Sequence, residues 1–275
     1  MKEPDSAMPS YAKPPVIEVV WSVQFAELRW LLAAHTGLFW QRIRDRYPDC
    51  QEQAPLAHVV EQEALFAPAV QQMQMLSAPP LSRQWYISGS GNELVQLQRD
   101  RFCCNWRQVR RGDAYPRYAH MRDAFESNWR TFCDFVADVG KEAPSVDQCE
   151  MTYINHVDQG QGWESLAQVG EVFHMVQWQA ETSSLPGPET LGARVSFGLP
   201  QVRGRLHVSL RHGMRTEDGS GEQQLLVLEL TARGAPLETD VDGLLAWYEA
   251  ARGSIVRAFT ELTTPSMHAR WERQQ

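Results

Sequence analysis

Residues 96–118 read QLQRDRFCCNWRQVRRGDAYPRY. Two strand-like runs meet here, separated by Arg99 and Asp100. In the second run, Phe102, Cys104 and Trp106 point one way, and Arg101, Cys103, Asn105 and Arg107 point the other. The first run puts Val95 and Leu97 inward and Gln96 and Gln98 outward. A period of two with one polar side belongs to a half-buried antiparallel sheet. Upstream, Trp85 to Ser88 reads as a strand and Gly89-Ser90-Gly91-Asn92 as a turn, so the three strands form a meander. Downstream, Pro116 opens a helix that runs to about Val139 and stops at Gly140. Its apolar stripe of Met121, Phe125, Trp129, Phe132 and Val136 is a core-facing helical pattern.

The same grammar extends outward. Residues 1–15 read as a flexible lead-in. Ile17, Val19, Trp21, Val23 and Phe25 then alternate with Glu18, Val20, Ser22 and Gln24 as a strand. A helix is expected from Thr36 as N-cap, with Phe39, Ile43 and Tyr47 on one face and Pro48 closing it. Residues 48–80 are rich in Gln, Ala and Pro and read as a loop with one short helix. The second half reads as a strand from Met151 to Val157, a helix from Glu164 to about Gln177, and a linker over 178–191. Strands at Ala193–Leu199, Arg205–Arg211 and Gln224–Ala232 follow, then a helix from about Asp240 to Leu262 and a tail helix at Thr264-Pro265. The expected class is α+β, in two β-α-β-β-β-α-like halves (16–145 and 146–275) with antiparallel sheets and helices packed on one face. If the repeated element order is real, a pseudo-twofold axis relates the halves, packed as one unit.

Composition bounds the function. A formal net charge of -8 argues against a general nucleic-acid coat protein, but not against a local basic groove. Basic charge is almost all arginine, with lysine only at Lys2, Lys13 and Lys141. Arginine suits bidentate contacts to carboxylate or phosphate, and coding bias is the duller explanation. Cys50, Cys103, Cys104, Cys133 and Cys149 lack framework spacing and fit a reducing compartment. The polar, proline-rich N-terminus does not read as a signal peptide, and no apolar run approaches spanning length. A cytoplasmic location is expected.

The candidate binding residues follow from the alternation: Gln96, Gln98, Arg101, Asn105 and Arg107 in the first half, Arg205, His207 and Arg211 in the second, with Tyr115 and Arg117 at the adjacent helix start. Leu206, Val208 and Leu210 face the core, so Arg205, His207, Ser209 and Arg211 face away. The commonplace reading is the solvated side of an antiparallel sheet. The functional reading is a groove of cationic and amide groups for an anionic partner: a phosphate-bearing ligand, single-stranded nucleic acid or an acidic protein segment. Tyr115, Arg117 and Tyr118 would add stacking or a phosphate contact; the plainer reading is a hydrophobic staple and a surface arginine. No histidine pair has metal-ligand spacing, and G-x-S-x-G, Walker A, dinucleotide glycine and H-E-x-x-H patterns are missing. No catalytic residue, metal or cofactor is expected. Cys103 lies among arginines, which would lower its pKa, yet a spectator thiol is the better reading.

With these residues in place, the chain resembles a sporadically distributed family of bacterial proteins without assigned activity. The resemblance rests on PPVIEV at 14–19, HTGLFW at 35–40, QLQRDRF at 96–102, NWR at 105–107, YPRY at 115–118, and a tail from Phe259-Thr260 through TTPSM at 263–267. It spans nearly the whole chain, and departs at Cys103 and Cys104, where aliphatic residues are expected. It implies a horizontally moving gene, of the kind found in defence or toxin–antitoxin modules, and transfers no site residues. The leading expectation is a non-catalytic cytoplasmic binding protein, an accessory or neutralising subunit for a partner protein, with no membrane partner and the homo-oligomeric state open. The alternatives are a nucleic-acid or nucleotide binder using the arginine faces, and an enzyme with an unrecognised site.

Overall fold

A computed structural model describes residues 8–61, 81–178, 184–217 and 221–275. Its strands are β1 (Val16–Phe25), β2 (Asp49–Gln53), β3 (Arg83–Ile87), β4 (Glu93–Gln98), β5 (Arg101–Arg107), β6 (Val146–Asp158), β7 (Gly192–Leu199), β8 (Gly204–Glu217) and β9 (Gly221–Gly234). Its α-helices are α1 (Ala33–Ile43), α2 (Arg117–Asp138), α3 (Val241–Leu262) and α4 (Pro265–Arg270). The class is α+β, as the alternation and helical stripes predict.

The described strands form one antiparallel sheet of nine in the order β2-β3-β4-β5-β1-β6-β9-β8-β7. The halves share it, because β1 pairs with β6 over Val16 to Phe25. Reading outward from this seam, one side runs β1-β5-β4-β3 and the other β6-β9-β8-β7. Each half therefore places its first strand at the seam and its last strand beside it. β2 is an addition to the first half, at the edge, where the sequence reads as loop. The short helix expected within 48–80 falls largely outside the described residues.

The strand period sorts side chains as the sequence predicts. Val19, Trp21 and Val23 lie opposite Trp106, Cys104 and Phe102 on β5, and opposite Tyr153, Met151 and Cys149 on β6. This face carries the helices. Trp21 sits between Phe125 and Tyr118 of α2 and Tyr248 of α3, with ring centroids 4.5 Å apart in the Trp21–Tyr248 pair. Phe102 stacks on Phe132, 5.2 Å between centroids, and Phe39 of α1 meets Phe132 edge-on. Burying this much aromatic surface is the main force that welds helices to sheet.

Three local expectations are corrected. α1 begins at Ala33 rather than after a Thr36 cap: the Leu32 N–H donates to His35 Nδ1 at 3.1 Å, and Thr36 Oγ1 donates back to the Ala33 carbonyl. The helix expected over 164–177 is a short 3-10 helix at Leu166–Glu171. Its later residues are drawn into pairing with the end of α3, through the Phe173–Thr263 bridge and the His174 N–H to Leu262 carbonyl bond of 2.9 Å. Residues 8–15 are not a free lead-in. Tyr11 is buried, bridges to Arg273, and bonds Thr260 Oγ1 at 2.8 Å. The N- and C-terminal segments thus close against each other.

Candidate functional site

The polar sheet face assembles as the alternation predicts. Gln24 lies opposite Arg101 and Gln148, Ser22 opposite Cys103 and Glu150, and Glu150 opposite Arg233, which in turn faces Arg205. Gln96, Gln98, Arg101, Asn105, Arg107, Arg205, His207 and Arg211 all lie on this face. The face is not open along its length. Residues 54–61, leaving β2, cross it as an extended strap.

Glutamine amides hold the strap by its backbone. Gln98 accepts from the Leu56 N–H at 2.9 Å and donates to the Leu56 carbonyl at 3.1 Å. Gln24 accepts from the Val59 N–H at 3.2 Å and donates to the Val59 carbonyl at 2.8 Å. Gln148 donates to the same carbonyl and accepts from the Glu61 N–H at 2.8 Å. A glutamine amide presents one donor side and one acceptor side, so it pairs with a peptide unit as a neighbouring strand would. Arg101 adds a bond to the Ala57 carbonyl and Arg83 one to Ala54. Gln24, Gln98, Gln148 and Arg101 are consequently buried.

The strap ends in an ion cluster. Glu61 meets Arg205 at 2.6 Å and His207 at 2.8 Å, with Arg233 at 3.9 Å. Glu150 meets Arg233 at 2.6 Å and Arg101 at 3.9 Å. Burial pushes the Glu61 carboxyl up, but hydrogen bonds from His207 and Arg205 outweigh it and hold the group below its ordinary value. The arginines at 101 and 205 are therefore engaged by this chain's own carboxylates and carbonyls. Gln96 accepts from Arg83 and Trp85 and donates to Asn105, which donates to Glu18. Arg107 donates to the Gly91 carbonyl and lies 5.3 Å from the Trp85 ring centroid. Arg211, further along β8, is exposed.

Cys103 is the clearest electrostatic correction. Burial drives its thiol up to about 11, although Arg101 and Arg83 pull the other way. Desolvation of a thiolate on the covered face outweighs the nearby positive charge.

Tyr115 and Arg117 do not join this face. Tyr115 stands on the helix side, against Trp106 and with its hydroxyl 3.2 Å from that of Tyr153. Arg117 Nη1 donates to the Tyr11 carbonyl at 2.9 Å. Both line a cavity of about 190 Å³ between the N-terminal segment, α2 and α3. A second cavity, of about 330 Å³, is lined by Arg110, Arg111, Arg215, His156 and Asp158. There Asp158 Oδ2 accepts from Arg111 at 3.1 Å and Arg215 at 2.9 Å. Burial and then the charge of Arg215 push His156 down to about 4.

Sequence reasoning missed Gln148, Glu61 and the strap. Gln24 was visible as a polar-face residue of β1, but its partner, 35 positions away, carries no local signal. Among the described residues, no group of three or more His, Cys, Asp or Glu side chains is arranged to hold a metal ion. No described helix is long and apolar enough to cross a membrane.

Fold and site together define an α+β protein with one wide antiparallel sheet, helices on one face and a self-docked strap on the other. No model of a known protein family matches the chain, and a search of curated proteins finds none similar to it.

Proposed function

We propose that this protein is a non-catalytic binding protein whose outer strand β7 receives an extended segment of a partner protein. The observation that carries the reading is the state of that edge. β7 pairs with β8 on one side and, among the described residues, ends the sheet on the other. Its Val195 and Phe197 are 38% and 44% exposed, on the same side as the core residues Val208 and Leu206. An eight-residue edge with apolar side chains is a template for strand addition. The opposite edge, β2, is five residues of Asp, Cys, Gln and Glu, and offers no apolar contact beyond its backbone. Exposed Arg194 on the other side of β7 favours a partner strand that alternates apolar and acidic residues. In this reading the protein is a cytoplasmic accessory or neutralising subunit of a horizontally transferred, defence-like module, as the resemblance at the central motif suggests.

The test is native co-purification at low salt from the host, with mass spectrometry of bound species. A stoichiometric protein that is lost with the Val195→Lys, Phe197→Lys double variant is expected. Retention of that protein by the double variant would remove β7 as its site. A second reading, a phosphate-bearing ligand or nucleic acid, is supported by the cavity of Arg110, Arg111 and Arg215. It predicts bound material absorbing at 260 nm that is released by salt.

A further inference from the structure

The cavity beside Tyr115 lies on the other side of the sheet from the strap and far in character from the β7 edge. Its walls are apolar: Pro14, Val16, Leu230, Ile255 and Phe259. Its polar lining is mainly tyrosines and arginines, with Ser10 and Asn155, and among the described residues no carboxylate lines it.

The hydroxyls of Tyr115 and Tyr153 are 3.2 Å apart. Two hydroxyls carry two hydrogens, and the bond between them uses one. The second hydrogen has no other protein acceptor among the described residues. Tyr153 is only 8% exposed and Tyr115 half-buried, so the pair presents its second hydrogen to the cavity. Burial, and then the adjacent Tyr115, hold the Tyr153 hydroxyl well above the ordinary tyrosine value, so it stays a donor. Arg252 also lines the cavity, with its guanidinium 4.3 Å from the Tyr118 ring centroid and an ion pair to Glu249 at 3.3 Å.

The cavity is also built at some conformational cost. Arg117 has φ of 74°, a left-handed conformation that an ordinary residue adopts only under strain. Its guanidinium holds the Tyr11 carbonyl, and so holds the N-terminal segment over the cavity mouth. The segment is fastened on its far side by the Ala12 N–H to Glu272 carbonyl bond of 3.0 Å.

We propose that this cavity binds a small monocarboxylate with an apolar body of about one ring, its carboxylate on the Tyr115–Tyr153 hydroxyl pair and Arg252. The carboxylate accepts from the hydroxyl pair and from an Arg252 N–H, and the apolar body fills the walls. The size agrees: an apolar cavity of about 150 Å³ takes up benzene, and this one is about 190 Å³. The site is independent of partner binding at β7.

The experiment uses the full chain and four probes: benzoate, phenylacetate, and the neutral amides benzamide and phenylacetamide. Binding is measured by titration calorimetry and by ligand-observed NMR. Saturable one-to-one binding of at least one acid is expected, with its amide about tenfold weaker or more. Arg252→Met should weaken the acid by a similar factor and leave the amide unchanged. Tyr153→Phe should do the same; where it does not fold, Arg252→Met and the acid–amide ratio decide. Absence of binding by both acids overturns the proposal, as does equal affinity for acid and amide or wild-type affinity in folded Arg252→Met.

Discussion

Gln24, Gln98 and Gln148 convert a flat sheet face into a holder for backbone. Each uses its side-chain amide as donor and acceptor for strap backbone. Replacing Gln24 with Leu leaves the Val59 N–H without its acceptor and removes one of the two donors to the Val59 carbonyl. A loss of about 1–3 kcal/mol is expected from urea unfolding, with faster proteolysis within 54–61. Two titrations make stability pH-dependent in separate windows. The folded Glu61 carboxyl lies below its ordinary 4.5, so its contribution is complete above that value and is lost as pH falls through the lower folded value. His156 is pushed from 6.5 to about 4, so the unfolded chain takes up its proton first, and stability falls as pH drops from 6.5 towards 4. A stability–pH profile should lose its upper slope in His156→Gln and its lower slope in Glu61→Gln. At this scale the polar-face assignments were legible from alternation in β4, β5 and β8. Their occupants were not, because a glutamine's sequence position does not reveal which distant carbonyl it meets.

At the scale of elements, α3 is tied to β1 by more than apolar contact. Tyr248 is fully buried and donates to the Ser22 carbonyl at 2.7 Å, across 226 residues. Tyr248→Phe keeps the ring against Trp21 and removes the donor, so about 1–2 kcal/mol should be lost in thermal unfolding. Phe132→Ala on α2 removes the ring against Phe25, Phe39 and Phe102 and should cost about 3–5 kcal/mol in the same assay. α2 and α3 were readable because each has an apolar stripe, and α3 has an aspartate cap: the Gly243 N–H donates to Asp240 at 2.8 Å. The segment after Ser165 has a helical stripe too, but Phe173 and His174 pair with the chain at 262–263 instead. Tertiary hydrogen bonds replaced local ones there, as they do wherever a marginal helix meets a ready backbone partner. β2 was read as loop because Asp, Cys, Gln and Glu lack strand propensity; its pairing with β3 supplies what propensity does not.

Across the whole molecule the β1–β6 seam makes the halves one sheet, with Trp21 and Tyr248 bridging them in the core. The halves should not melt separately. Calorimetry is expected to give one transition with equal calorimetric and van't Hoff enthalpies, and a heat-capacity change of about 3–4 kcal/mol/K for a chain of 275 residues. Met151→Asp, which buries an unpaired carboxylate at the seam opposite Trp21, should abolish the folded state of both halves together, read from near-UV signals of their tryptophans. Two separate transitions in the wild-type chain would disprove this coupling.

Local sequence carried the class of this protein, the faces of its strands and the stripes of its long helices. Those follow from side-chain geometry with periods of two and 3.6, which neighbours in the chain already express. Strand order, the strap over the polar face, the closure of the N-terminal segment on Trp271 and Glu272, and the Tyr115–Tyr153 cavity arise only in three dimensions. Each joins residues far apart in the chain, and the free energy that selects it comes from burial and from satisfying buried polar groups, neither of which exists until the chain has folded.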